Sequence, residues 1–294
     1  MAEQDPNLSA LFDLSALTPT SPTFMNLEDP RYAYMFGFIQ ADGHLAAGTG
    51  RKGRLTVEIS VRDIDILREF QQLTPYNSSI TERTRSTNFA DAHHSATWTL
   101  CALEARTTLN GLGLPYGRKS KKITPPRVEF SRRDYLRGVI DADGSVGLTK
   151  DGFPFVSLTT ASTAVAAYFC HYTKKITGVS RHIKRNARDG IYNVLYVKEA
   201  AMDLAAHLYY PGCLALDRKR TSAAALADWV RPAGMRKITD SRRWKPWEDR
   251  ALLEIDDPEA AGTELNRTAS SCRNRLWRLK AGKVPLPPDG PSEL

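Results

Sequence analysis

An internal repeat constrains this chain more than any other feature. Shifted by about 100 residues against itself, the sequence lays MFGFIQADGHL (35–45) over LRGVIDADGSV (136–146), so the fold is expected to use one unit twice. The likeness continues downstream. RLTVEISV (54–61) alternates like a half-buried strand, and FPFVSLTTA (153–161) takes the same place in the second half. Helical patterns follow at 63–73 and 162–176, then two strand candidates in each half, SSITERTR and SATWTLCA, SRHIKRNA and IYNVLYVK. Further helices are expected over 103–112 and 200–208, each leading to a basic cluster, GRKSKK (117–122) and DRKR (217–220). A short strand right after each motif, at 43–47 and 145–149, would complete four strands per half. The expected class is α+β, with helices on one face of each antiparallel sheet.

Within the motifs, Gly37 and Ala41, and again Gly138 and Ala142, stand four apart on one helical face. Small residues there allow two helices to pack almost backbone to backbone. Asp42 and Asp143 then fall at the helix C-termini, and Gly43 and Gly144 suit the left-handed position that stops a helix. Two carboxylates at negative dipole ends repel each other unless a cation intervenes. Mg2+, or another divalent ion such as Mn2+, prefers such a pair with water and phosphate oxygens, and a metal so held serves phosphodiester hydrolysis.

FGFIQADG and LRGVIDADG resemble the two signature copies of single-chain LAGLIDADG homing endonucleases, and the repeat extends from Arg31 to Val230. The resemblance implies a pseudo-two-fold pair of αββαββα repeats, motif helices at the interface and two sheets forming a saddle over double-stranded DNA. It makes Asp42 and Asp143 the metal ligands, with Gly43 and Gly144 as adjacent backbone positions. It places Lys119 and Lys219, at nearly equal distances after the acids, at the rim of the active site, a role that their neighbours Arg118, Lys121, Arg218 and Arg220 could equally hold unless they only touch phosphate. Where the family carries an earlier acid, the first motif has Gln40 and the second keeps Asp141.

The implied activity is site-specific cutting of a long asymmetric target by a monomer, in intron homing or other gene mobility. The alternatives are a non-catalytic regulator on a degenerate LAGLIDADG fold and an intron RNA maturase. Polar strand positions expected to face DNA are Thr56, Glu58, Ser60, Arg62, Thr81, Arg83, Arg85, Thr97 and Thr99, then Ser157, Thr159, Arg181, Lys184, Arg185, Arg188 and Asn193. A C-terminal unit (244–280) reads as three short helices with a core of Trp244, Trp247, Leu252, Leu253, Leu265, Leu276, Trp277 and Leu279. Its last helix carries Arg267, Arg273, Arg275, Arg278 and Lys280, and resembles the recognition helix of Myb/SANT-like helix-turn-helix modules.

The expected organisation is an arm (1–30), a first repeat (31–122), a linker (123–134), a second repeat (135–230), a basic linker (231–243), the helical module and a disordered tail (281–294). With 41 Lys+Arg against 33 Asp+Glu the net charge is +8 and the pI about 9.3, which favours polyanions. Cys101, Cys170, Cys213 and Cys272 are too scattered for a zinc site or a small disulfide framework. No apolar run suits a membrane span or a signal peptide. A soluble protein of a prokaryotic or phage-infected cell, cytoplasmic or nucleoid-associated, is expected, with an organelle as the alternative. An intein is not expected, since the splice-type terminal residues are missing.

Overall fold

The computed structural model describes residues 23–46, 48, 52–87, 90–235 and 244–287, and the chain divides into two compact units, Met1–Arg231 and Pro232–Leu294. Most of the expected arm, most of the basic linker and the end of the tail lie outside the described residues. What is described of the arm belongs to the core: Met25 and Leu27 are buried, and Phe24 packs edge-on against Tyr32 and Tyr76.

In the first unit α1 (Pro30–Asp42) is followed by β1 (His44–Leu45), β2 (Leu55–Ser60), α2 (Ile64–Leu73), β3 (Ser78–Thr87), β4 (Ala90–Leu100) and α3 (Leu103–Gly111). The second half gives α4 (Arg132–Asp143), β5 (Gly144–Leu148), β6 (Pro154–Thr160), α5 (Thr163–Thr177), β7 (Tyr192–Val197), α6 (Glu199–Leu208) and α7 (Asp217–Ala225). The first sheet runs β1-β2-β4-β3 and the second β5-β6-β7, with all pairings antiparallel. α1 starts where its residues demand it: the Asp29 side chain accepts from the Arg31 N–H and Pro30 occupies the first turn. α4 begins at Arg132, inside the segment expected to be linker.

The second half departs from the expected pattern in two places. SRHIKRNA forms no regular strand; its one bridge joins Arg185 to Tyr192. Instead Arg185 donates to Gly190 O at 2.6 Å, Thr163 Oγ1 at 3.1 Å and the Tyr192 hydroxyl at 3.1 Å. With Ile183 as its sole large apolar residue, the segment has no face to bury in a sheet. DRKR, read as a basic cluster, is the first turn of α7, which has no counterpart in the first half.

Both halves share one hydrophobic core, centred on the crossing of α1 and α4. There is no room for a side chain where they cross. A Cβ on Gly37 would fall on the Tyr135 carbonyl oxygen, and one on Gly138 on the Tyr34 carbonyl oxygen with the Phe38 nitrogen 2.9 Å away. Ala41 and Ala142, the other small residues of the motifs, are half-buried. No helix among the described residues is long and apolar enough to cross a membrane.

The second unit has α8 (Pro246–Ile255), α9 (Pro258–Glu264) and α10 (Ala269–Lys280). Its core is Leu252, Ala261, Leu265, Cys272, Leu276 and Leu279, bordered by Trp244 and Leu253. Two expected core tryptophans are surface residues instead, Trp247 at 40% and Trp277 at 61% exposure. Cys272 and Ala261, small residues not among those expected, belong to that core.

Replacing Gly37 or Gly138 by Ala is expected to destabilise the first unit by about 1 to 3 kcal/mol, and Leu by more, because the obstacle is backbone that cannot repack. Urea unfolding of each variant measures this. Unchanged midpoints would show that the helices do not meet at these glycines.

Candidate active site

Asp42 and Asp143 are the last residues of α1 and α4, so the glycine crossing brings two carboxylates to the same end of the helix pair. Both residues are exposed, yet enough protein surrounds their carboxylates to hinder solvation. That loss of solvent, followed by repulsion from Asp42, pushes the Asp143 pKa up to about 6 against the pull of Lys119 and Lys219. Asp42 is also raised, by hindered solvation opposed by the same two lysines. The surroundings thus disfavour negative charge on both groups.

The lysines meet the motif helices directly. Lys119 Nζ donates to Gln40 O at 2.6 Å and to Ala41 O. Lys219 Nζ, buried, donates to Ile140 O at 2.7 Å, Asp141 O at 2.6 Å and Gly144 O at 2.8 Å. Each ammonium therefore caps the carbonyl end of a motif helix, where a cation opposes the dipole. Desolvation lowers the pKa of both, that of Lys219 to about 8, although Asp143 and Asp42 favour charge on Lys119, and Asp141 and Asp42 on Lys219. Capping and proximity to the acids are thus carried by the same groups. Arg118 and Lys121 are exposed, and Arg218 crosses to the first half to hold Asp63 with Nε 3.0 and 3.1 Å from its oxygens.

The glycines after the acids are not left-handed. Gly43 has φ −70° and Gly144 φ −107°, both extended. Their need for hydrogen in place of a side chain comes from crowding: a Cβ at Gly43 would lie 2.6 Å from Ile39 O, and at Gly144 2.6 Å from Ser157 O. The chain leaves each helix straight into a strand, β1 after α1 and β5 after α4.

Sheet register sorts the polar candidates. In the first half Thr56 pairs with Thr99 and Thr99 with Ser79; Glu58 pairs with Thr97 and Thr97 with Thr81; Ser60 pairs with Ser95 and Ser95 with Arg83. These rows share one face, opposite the buried Leu55, Val57, Trp98 and Leu100. Arg85 donates to Glu58 at 3.0 Å on that face. Arg62 lies exposed in the turn after β2. In the second half Ser157 pairs with Ser145 and Leu195, and Thr159 with Asn193. Leu195, 47% exposed at the middle of this face, was not among the candidates; its alternation with the buried Val194 and Tyr196 was the signal. Arg181 lies over the Tyr196 ring, Lys184 is exposed and Arg188 pairs with Asp189 at 3.2 Å.

In the helical unit two of the five basic candidates are tied down. Arg267 grips the buried Glu248 with two bonds of 3.0 and 2.7 Å and stacks on Trp244. Arg275 holds Asp249 at 2.8 and 2.6 Å. Arg273 pairs with Glu259 on the surface, Lys280 with Asp256, and Arg278 is exposed beside Trp277 and Asn274. The sequence hid this because the acids come from α8 and α9, not from α10.

One buried network escaped sequence reading altogether. Arg137, inside the second motif, donates to Leu208 O, Leu214 O and Asp134 Oδ1 at 2.9, 2.8 and 2.5 Å. Burial opposes its charge and Asp134 outweighs that, holding the guanidinium pKa up.

Residues 131–210 match the LAGLIDADG-like domain family. Among solved structures, the homing endonuclease I-WcaI bound to its DNA recognition sequence is similar at 15% identity and TM-score 0.46, over 72% of this chain and 96% of that one. The meganuclease I-SmaMI bound to uncleavable DNA is similar at 11% identity and TM-score 0.45, over 87% and 98%. The N-terminal LAGLIDADG domain of DUF199/WhiA is similar at 12% identity and TM-score 0.40, over 71% and 84%. Comparison with curated protein sequences gives no match.

Because Lys219 satisfies three carbonyls and Lys119 two, Lys219→Met is expected to cost about 1 to 3 kcal/mol of stability, and Lys119→Met less. Chemical denaturation of the two variants gives the comparison. Equal stability of Lys219→Met and the parent would remove the capping role.

Proposed function

We propose that this protein is a metal-dependent, site-specific endonuclease of double-stranded DNA, built from two LAGLIDADG repeats. The observation that carries this reading is the pair of carboxylates at the ends of two helices in backbone contact, each held above its usual pKa. Stability would not select that arrangement, since it sets like charges together at the negative ends of two dipoles. The family match over 131–210 supports it.

The donor set suits Mg2+ or Mn2+: two oxygen anions, exposed enough to leave coordination positions for water and phosphate. Asp42 and Asp143 would hold the ion, which when bound supplies activation of water and neutralisation of the leaving oxygen. Of the neighbouring backbone positions, Gly144 already gives its carbonyl to Lys219. Lys119 and Lys219 would add positive potential where phosphate charge develops, although desolvation lowers the pKa of both.

DNA would lie across the outer faces of the two sheets. The first face offers Thr, Ser, Glu and Arg; the second is less polar, with Leu195 among Ser157, Thr159 and Asn193. Faces so different fit an asymmetric target. The helical unit would add contacts through Arg273, Arg278, Lys280, Asn274 and Trp277, while Arg267 and Arg275 stabilise its fold.

Asp42→Asn and Asp143→Asn are each expected to abolish strand cleavage and to retain DNA binding, since each removes a metal ligand's charge without changing shape. Incubation with a randomised or genomic DNA pool in Mg2+, followed by sequencing of cut ends, provides the target and the assay. Undiminished cutting by either variant refutes the assignment. Binding without cutting by the parent protein would favour the regulator reading.

Removing everything after Pro232 should leave a nuclease whose binding depends less steeply on salt. With Arg267 and Arg275 engaged inside the unit, up to three phosphate contacts, by Arg273, Arg278 and Lys280, remain to be lost, lowering the logarithmic slope by about 1 to 3 units. Identical slopes on the same target would show that the helical unit does not touch that DNA.

A further inference from the structure

Two tyrosines at the helix crossing have no part in the reading above. Tyr34 of α1 donates to Asp141 Oδ2 of α4 at 2.7 Å, and Tyr135 of α4 donates to Gln40 Oε1 of α1 at 2.6 Å. Both rings are fully buried. The residues they grip hold the segments that carry the lysines. Gln40 Nε2 donates to Thr124 O at 2.9 Å and Gly113 O at 3.3 Å, the two ends of the loop bearing Lys119. Asp141 accepts from the Leu216 N–H at 2.8 Å and the Tyr209 hydroxyl at 2.6 Å. Leu216 is the N-cap of α7, and its carbonyl takes the Lys219 N–H at 3.0 Å.

We propose that Tyr34 and Tyr135 are reciprocal positioning residues, each reaching from the motif helix of one half to fix the lysine of the other half. Tyr135 sets Lys119 through Gln40, and Tyr34 sets Lys219 through Asp141. The physical basis is the cost of an orphaned buried polar atom. Without the Tyr135 hydroxyl, Gln40 Oε1 loses its partner in a site closed to water. The amide regains one only by turning, which releases Thr124 and Gly113. Asp141 keeps two other donors when Tyr34 is changed, so that arm is the less sensitive one. Docking of the halves and readiness of the lysines are thereby a single event.

The position of each lysine can be read without metal or DNA, through the rate at which an amine-reactive acetylating ester labels it in the full-length protein. Site-resolved mass spectrometry separates Lys119 from Lys219. Tyr135→Phe is expected to raise labelling of Lys119 by about three- to tenfold, the range set by loss of one buried hydrogen bond, with Lys219 changed less than about twofold. Tyr34→Phe should reverse the pattern with a smaller effect. Gln40→Met cuts the same chain one link later and carries the same expectation as Tyr135→Phe, so a poorly folding tyrosine variant does not end the test. No change, or a parallel rise at both lysines that tracks a fall in melting temperature, overturns the proposal.

A further arm rests on the nuclease reading: on a cleavable plasmid the two tyrosine variants should accumulate nicked circles through opposite strands, and equal slowing of both strands counts against selective positioning. If the parent protein does not cut DNA at all, the nuclease reading fails while the labelling result stands.

Discussion

The approach of α1 to α4 sets the terms for everything else in the first unit. At Gly37 and Gly138 each helix rests on a backbone carbonyl of the other, a separation that admits hydrogen and nothing larger. A looser crossing would still bury Tyr34, Phe38 and Tyr135, but it would part the helix ends and with them the carboxylates. The acids can be neighbours because the glycines are. The same closeness lets a tyrosine hydroxyl span from one helix to a side chain of the other.

Such proximity creates an electrostatic problem that the protein only half solves by itself. Two helix C-termini bring partial negative charge, and two aspartates add more. Lys119 and Lys219 answer the first part by donating to the last carbonyls. They do not answer the second, because both carboxylates remain above their usual pKa despite the lysines' pull. The protein thus compensates the backbone charge at these helix ends more fully than it compensates the acids. The lysines, being partly spent as caps, are held at fixed points instead of sampling solvent.

Much of this was legible in the sequence because it follows from periodicity and residue size. The repeat, the helix pair, the small residues at its crossing and the acids at its end needed only spacing. What the sequence concealed depended on partners distant along the chain. Arg267 and Arg275 read as free cations because Glu248 and Asp249 lie on another helix. SRHIKRNA read as a strand from its place in the repeat, although its own residues lack an apolar face and its arginine bonds to a loop carbonyl and two hydroxyl groups. Gly43 and Gly144 were rightly seen as positions that need glycine, but for backbone angle when the cause is contact with a carbonyl oxygen.

The divergence of the two motifs at Gln40 and Asp141 has a local explanation of the same kind. A carboxylate can only accept hydrogen bonds, whereas a primary amide accepts at one end and donates at the other. Around residue 40 the first half presents two backbone carbonyls, Gly113 and Thr124, and one tyrosine hydroxyl. A carboxylate there would face two acceptors, and an amide satisfies all three groups. Around residue 141 the second half presents the Leu216 N–H and two tyrosine hydroxyls, all able to donate. An amide would there turn donors toward donors, and a carboxylate accepts from all three. Burial still holds the Asp141 pKa up against those donors. The first half brings a loop to this position and the second brings the start of α7, so the two copies differ where their downstream segments differ, while the acids that follow them stay the same.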